Sequence, residues 1–293
     1  MLIVFEGIAV VAGISLNSPR VSVKQVRRVW PLALVVSACS AQTPSVAENG
    51  VLNSASFVTV GQPGHPVAPG SLVSIFGSEL AAGLSTAGSV PLSTSLAGVS
   101  VRFNNVAAPM YFVSPGQINA QIPWNTLQGA ESGMATVVVT RDGNSSQPRN
   151  VQLARFSPAV YTLQAGSGPA VAVNSDDGSL AQPQGSVPGI NARPARIGGV
   201  IIVYASGLGP VTPPVQDGAA SLDALRPTNT TPVVLIGGLE AQVPFSGLAP
   251  QFPGVNQLNI VIPQGVTPGG AVAIQIRVAG ITTSNQVTIA VQN

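Results

Sequence analysis

Residues 115–123 read PGQINAQIP, and residues 253–263 read PGVNQLNIVIP. Both contain Gln-(Ile/Leu)-Asn-x-x-Ile-Pro, and both alternate apolar with polar side chains. Successive side chains of a strand point to opposite faces, so Ile118, Ala120 and Ile122 share one face, as do Leu258, Ile260 and Ile262. Pro123 and Pro263 then end each strand, because proline cannot donate to a ladder.

Other segments recur in the same order. Pro69–Ser78 resembles Gly198–Ser206: a glycine turn, an apolar strand, an aromatic and a small-residue corner near Leu80 or Leu208. Val99–Val106 resembles Val233–Leu239, with Asn104-Asn105 or Gly237-Gly238 between two strands, residues that suit the positive φ of a tight hairpin. Ala135–Asn144 resembles Val272–Gly280, with Asp142-Gly143 as a second hairpin signal. No stretch sustains a 3.6-residue apolar period. The chain is therefore expected to be all-β: two tandem β-sandwich domains, at 50–163 and 164–293, after a leader at 1–41 and a linker at 42–49. With 32 glycines and 26 prolines, composition agrees with many turns between short strands.

Only 8% of residues are charged, against about 25% in an average soluble domain. The formal charge of +2 is set by the leader, which holds Arg20, Lys24, Arg27 and Arg28. From Gln42 onward there are eight arginines, no lysine and nine acids, for a net −1. Scattered arginines make a poor surface for neutralising phosphates, so nucleic acid is not an expected partner.

Residues 24–41 read KQVRRVWPLALVVSACSA. Cations, then a short apolar run, then small residues is the order of a secretory signal peptide, with cleavage expected after Ala41. The run is shorter than the roughly 20 residues that span a bilayer. Val36-Ser37-Ala38-Cys39 also fits a lipobox, in which Cys39 becomes an acylated first residue. The apolar 1–22 upstream of the cations is read as lying before a true start near Val21 or Val23. Location is therefore expected to be extracytoplasmic, secreted or at the cell surface, with membrane contact only through the leader or a lipid anchor. Cys39 is the single cysteine, so no internal disulfide can form and core packing alone must hold the domains.

APGSLVSIFGSEL and GVSVRFNNVAAPMYFVSPGQINAQIPW resemble the IPT/TIG branch of immunoglobulin-like domains, in their Gly-led opening strand and later Val-x-Phe hairpin. Residues 50–293 as a whole resemble a Solibacter-type uncharacterised C-terminal domain family of secreted bacterial proteins. The phrases NSASF, PGQINAQIPWNT, YASGLGPVTPPVQDG and GLAPQFPGVNQLNIVIP carry that likeness. The resemblance implies Ig-like modules outside the cytoplasm, with no activity and no functional residue to carry over.

Candidate chemistry is sparse. After the leader the chain has one histidine, His65, in a Pro/Gly loop, and no lysine or free cysteine for acid–base or nucleophilic work. No catalytic residue, cofactor or metal is expected. Asn174–Gly178 is a faint calcium-loop match whose glycine falls one place early, and it is more simply a turn. Arg193 and Arg196 are expected to pair with Asp176, Asp177 or Asp217. One face deserves a binding hypothesis: Gln117, Asn119, Gln121 and Trp124, repeated without the tryptophan as Gln257 and Asn259. Amides beside an aromatic platform suit a polysaccharide. The same uncharged face equally suits burial at the domain junction or contact with an extracellular protein. Non-catalytic adhesion, interaction or spacing is the expected function, with carbohydrate binding as the alternative.

Overall fold

The computed structural model describes residues 43–293 except Pro63 and Ser284, so Cys39 and the leader lie outside the described residues. Regular structure among the described residues is all strand. Four sheets form two pairs.

In the first pair, Leu72–Ser78 lies antiparallel to Gln117–Gln121, and Val99–Phe103 lies antiparallel to Ser132–Arg141 in the facing sheet. The second pair repeats this, with Val200–Ser206 against Asn256–Val261 and Val233–Ile236 against Gly269–Val278. Register repeats as well. Phe76 opposes Gln117 and Ser74 opposes Asn119; Tyr204 opposes Gln257 and Ile202 opposes Asn259. The four matched sequence segments therefore occupy matched places.

The apolar alternation decides which face goes inward. Val73, Ile75, Ile118, Ala120, Val101, Phe103, Val137 and Val139 meet between the first two sheets. Ile201, Val203, Leu258, Ile260, Val234, Ile274 and Ile276 do the same between the second two. Each fully buried aliphatic contributes about 1.5–3 kcal/mol relative to exposure, which suffices without sulfur or charge.

Two boundaries differ from the sequence expectation. Ser45–Asn49, taken as linker, belongs to an edge strand, Ser45–Asn53, paired with Leu72–Ser78. Ala159–Val160, placed in the first half, pairs with Ala205–Ser206 of the second. Residues 155–158 run between Arg149–Ala154, which pairs with Ser132–Arg141, and Ala159–Val160.

The hairpin signals turn as their residues allow. Asn104 and Asn105 have φ of 46° and 66°, Gly237 and Gly238 59° and 84°. Asp142-Gly143 and Ala279-Gly280 likewise have positive φ. Ala279, exposed at φ 48°, has no local hydrogen bonder to favour that conformation. The left-handed region costs alanine about 1–2 kcal/mol, and glycine's extra entropy costs about 0.5–1 kcal/mol. Ala279→Gly is therefore expected to stabilise the fold by about 0.5 kcal/mol, read as a higher midpoint in thermal unfolding.

A third apolar cluster joins the halves. Ala55, Leu72, Leu92, Tyr111 and Phe112 from the first pack with Tyr161, Val171, Ala249, Phe252 and Val255 from the second. Polar bonds cross the same seam. Tyr111 Oη donates to Pro253 O at 2.9 Å, Leu92 N to Gly218 O at 2.9 Å, and Asn53 Nδ2 to Ser157 O at 3.2 Å. Relative motion is the default for domain pairs unless their contact is large and apolar, and apolar residues make up this one.

Candidate functional site

Of the amide face, which the sequence leaves open between a binding surface and burial at the domain junction, Asn119 and Gln121 of the first copy are covered. Asn119 is 5% exposed and Gln121 1%. Asn119 Oδ1 accepts from Gln117 Nε2 at 2.8 Å and from Ser74 Oγ at 3.1 Å. Gln121 Nε2 donates to Gly70 O at 2.9 Å, and Gln121 Oε1 accepts from Gly218 N at 2.6 Å. The second copy reproduces the first contact: Gln257 Nε2 donates to Asn259 Oδ1 at 2.9 Å, both residues being half-buried. An amide at i and another at i+2 thus clasp each other on the outer sheet face. In the first copy the second half lies over that face.

Trp124 stands apart from that clasp. Its six-membered ring lies on Gly70, where a Cβ would come within 2.2 Å of the ring. Its backbone N–H donates to Asp217 Oδ1 at 2.8 Å. The dipeptide Asp217-Gly218 therefore ties both Trp124 and Gln121 to the second half. Around the indole opens a cleft of about 300 Å³, walled by Pro69, Leu127, Pro210 and Val215 with Trp124 and Arg155. Arg155 Nη1 donates to Glu131 Oε1 at 2.5 Å, and the guanidinium carbon lies 5.6 Å from the Phe156 ring centre. Trp124 Nε1 and Arg155 Nε are buried without a hydrogen-bond partner among the described residues.

The connection at 207–232 that supplies Pro210 and Val215 also carries a rigid tip, Ser221–Arg226. The Arg226 side chain is buried. Its Nη1 and Nη2 donate to Asp223 Oδ1 and Oδ2 at 2.7 and 2.9 Å, and Nη1 also to Ser221 Oγ at 3.2 Å. Ser221 Oγ donates to Ala224 O at 2.9 Å. Between these fixed residues Leu222 and Leu225 project, each 72% exposed, more than any other large hydrophobic residue described.

The bonds from Arg226 lower the Asp223 carboxyl to about 2. A depressed carboxylate contributes order above its unfolded value near 3.9, lost as pH falls through the folded value. The leucine methyl NMR shifts of the tip are thus expected to hold through pH 4 and to change near pH 2.

Other candidates resolve into local structure. Asp176 and Asp177 hold Arg193, at 2.8 and 3.0 Å, as the sequence pairing suggested, while Asp217 serves Trp124 instead. Asp177 also accepts from Ser179 N and Oγ in a tight turn. Hydrogen bonds from Ser179 and Arg193 hold its carboxyl well below the usual range. Among the described residues no group of three His, Cys, Asp or Glu could hold a metal ion. No described helix is long and apolar enough to cross a membrane. His65 is half-buried in its loop, its N–H donating to Gln62 O at 3.2 Å.

Sequence reasoning named Asp217 only as a partner for Arg193 or Arg196, and did not single out Gly218, Arg155 or the two tip leucines. Leu222 and Leu225 sit in a loop with no period to betray them. The one available signal was an apolar pair in an otherwise polar stretch, SLDALRP.

Residues 62–154 match the model of the IPT/TIG domain, which is under half of the chain. No curated protein matches. Among solved structures, the Plexin A4 extracellular region is similar over 91% of this chain and 17% of its own length, at 11% identity and a TM-score of 0.24. Domains 5-6 of the S-layer protein SbsC are similar over 86% of this chain and 99% of theirs, at 11% identity and 0.24. Yersinia pseudotuberculosis InvD follows at 16% identity, 78% and 55% coverage, and 0.19. The chain spans only about a sixth of the plexin's length. At such scores the likeness says nothing of activity or partners.

Proposed function

We propose that this chain is a non-catalytic, extracytoplasmic interaction module: two Ig-like sandwiches, meeting near Arg155–Pro158, joined into one stiff strut that presents loops at their junction. The observation that carries the reading is the apolar seam between the halves, with Tyr111, Gln121 and Asp217 bonded across it. A seam of this kind holds two modules at a fixed angle, which suits spacing or presentation and serves no reaction. The leader-like order of residues 24–41 and the resemblance of 50–293 to a secreted domain family supply the location.

Two measurements test it. Fractionation with mass spectrometry of the mature N-terminus is expected to find an exported chain starting after Ala41, or at an acylated Cys39. A cytoplasmic chain that retains residues 24–41 would contradict the location. Hydrolysis of ester or peptide substrates that disappears in His65→Ala would contradict the non-catalytic reading.

A polysaccharide reading rests on the Trp124 ring in the cleft, because Asn119 and Gln121 are engaged inside. Retention on purified polysaccharides, lost in Trp124→Ala, is the result that would favour it.

A further inference from the structure

We propose that the first sandwich binds a sugar ring carrying a carboxylate, in a hollow between its two edge strands that His65 and Arg149 both line. The proposal goes beyond the interaction reading. It names a ligand and a site apart from the Trp124 cleft, and its failure would leave that reading standing.

A bulge builds the hollow. Along the edge strand Ser45–Asn53, Val46 opposes Gly77 and Val51 opposes Ile75, so residues 47–50 stand against Phe76 alone. Bulges of this kind re-aim side chains. Asn49 lies in this one, exposed at φ 56°, and lines the hollow with Gly50. The opposite wall is the other edge strand, Arg149–Ala154. Arg149 Nε ties the two edges together by donating to Val46 O at 2.9 Å. The hollow measures about 210 Å³, below the roughly 300 Å³ at which pockets for larger ligands begin, so it suits a single ring.

Its chemistry selects the ligand. Arg149 engages the protein through Nε, and neither its Nη atoms nor the His65 ring has a hydrogen-bond partner among the described residues. No acid lines the hollow, and Glu48 of the bulge is exposed outside it. Arg141, Arg155, Arg193 and Arg226 are by contrast already paired with carboxylates. A guanidinium with a free fork suits a carboxylate, which it grips through parallel hydrogen bonds. The exposed amides of Asn49, Asn150 and Gln152 also line the hollow, and their side chains are unbonded among the described residues. An amide both donates and accepts, as a sugar hydroxyl requires, whereas a bare anion uses donors alone. Met134 and Val60, 59% and 46% exposed, add apolar surface for the C–H face of a ring.

His65 is the only histidine, so its ring proton resonances report this site directly. Titration of the full chain with glucuronate or galacturonate is expected to move them to saturation. The neutral parent sugars are expected to bind about tenfold more weakly. Arg149→Gln is expected to remove that preference. Because it also loses the bond to Val46 O, melting curves serve as the folding control, and His65→Gln, in a loop, is the second variant. By calorimetry His65→Gln is expected to weaken the acidic sugar about threefold, and Gln152→Ala to weaken acidic and neutral sugars alike by a similar factor. Silent histidine signals, equal affinity for neutral sugars, or binding indifferent to both Arg149 and His65 would overturn the proposal. So would acetate or phosphate binding as tightly as the acidic sugar, the mark of a free-anion site, or an acidic peptide binding more tightly. Sugar binding abolished by Trp124→Ala and kept by Arg149→Gln would overturn it as well.

Discussion

Gln121→Leu is expected to lower unfolding stability by about 3–4 kcal/mol and to separate the unfolding of the two halves. The side chain is nearly inaccessible and satisfies two backbone groups, Gly70 O and Gly218 N, on opposite sides of the seam. Each buried group left without a partner costs about 1–3 kcal/mol, and leucine can replace neither bond. Trp124 is the only tryptophan after the leader and sits beside the seam, so its fluorescence reports the junction while far-ultraviolet dichroism reports both sandwiches. In urea the fluorescence transition is expected to precede the dichroism transition in the variant and to coincide with it in the parent. Gln117→Leu is the control. That amide is half-buried and bonded only within its own face, so a loss below about 1 kcal/mol is expected. Equal effects at the two positions would mean that the seam contributes little.

Gly207→Ala is expected to cost about 3–5 kcal/mol, an effect few single methyl groups produce. Gly207 ends the Val200–Ser206 strand at φ 72°, and an added Cβ would stand 2.0 Å from Ser157 O. That carbonyl belongs to the 155–158 segment, whose own N–H donates to Gly207 O at 2.9 Å, so backbone must shift on one side or the other. Gly178→Ala separates the causes. Its φ is 71°, yet nothing lies within 4 Å of the added carbon, so only the left-handed penalty of about 1–2 kcal/mol remains. In the first sandwich Glu79 occupies the matching corner at φ 56°, so the corner itself tolerates a side chain. Chemical denaturation that gave the two variants the same loss would refute the collision at Ser157.

Much of this architecture is legible in the chain because each sandwich face is written in period two. Ile118-Ala120-Ile122 and Leu258-Ile260-Ile262 point inward as their alternation requires. Asn104-Asn105 and Asp142-Gly143 turn where their residues permit positive φ. The fate of the other face is not written there. Gln121 lies against Gly218 and Gly254, far along the chain, and alternation cannot tell a solvated amide from one beneath a neighbour. Ser45–Asn49 is polar enough to pass for linker, since half of an edge strand faces outward. The cleft escaped for the same reason as the seam: Trp124, Arg155 and Val215 converge only after both sandwiches have docked.

Among the described residues, Arg141, Arg155, Arg193 and Arg226 form ion pairs with acids whose side chains are at least 42% exposed; apart from these and a few charged contacts to backbone, such as Asp217 with the Trp124 N–H, the fold is held by apolar burial and uncharged hydrogen bonding. Screening by dissolved electrolyte weakens exposed ion pairs and leaves buried amides and aliphatic contacts nearly untouched. Sulfate and similar ions even strengthen apolar burial. The fold is therefore expected to persist from dilute water to brine, a tolerance that comes from having so few charges to begin with.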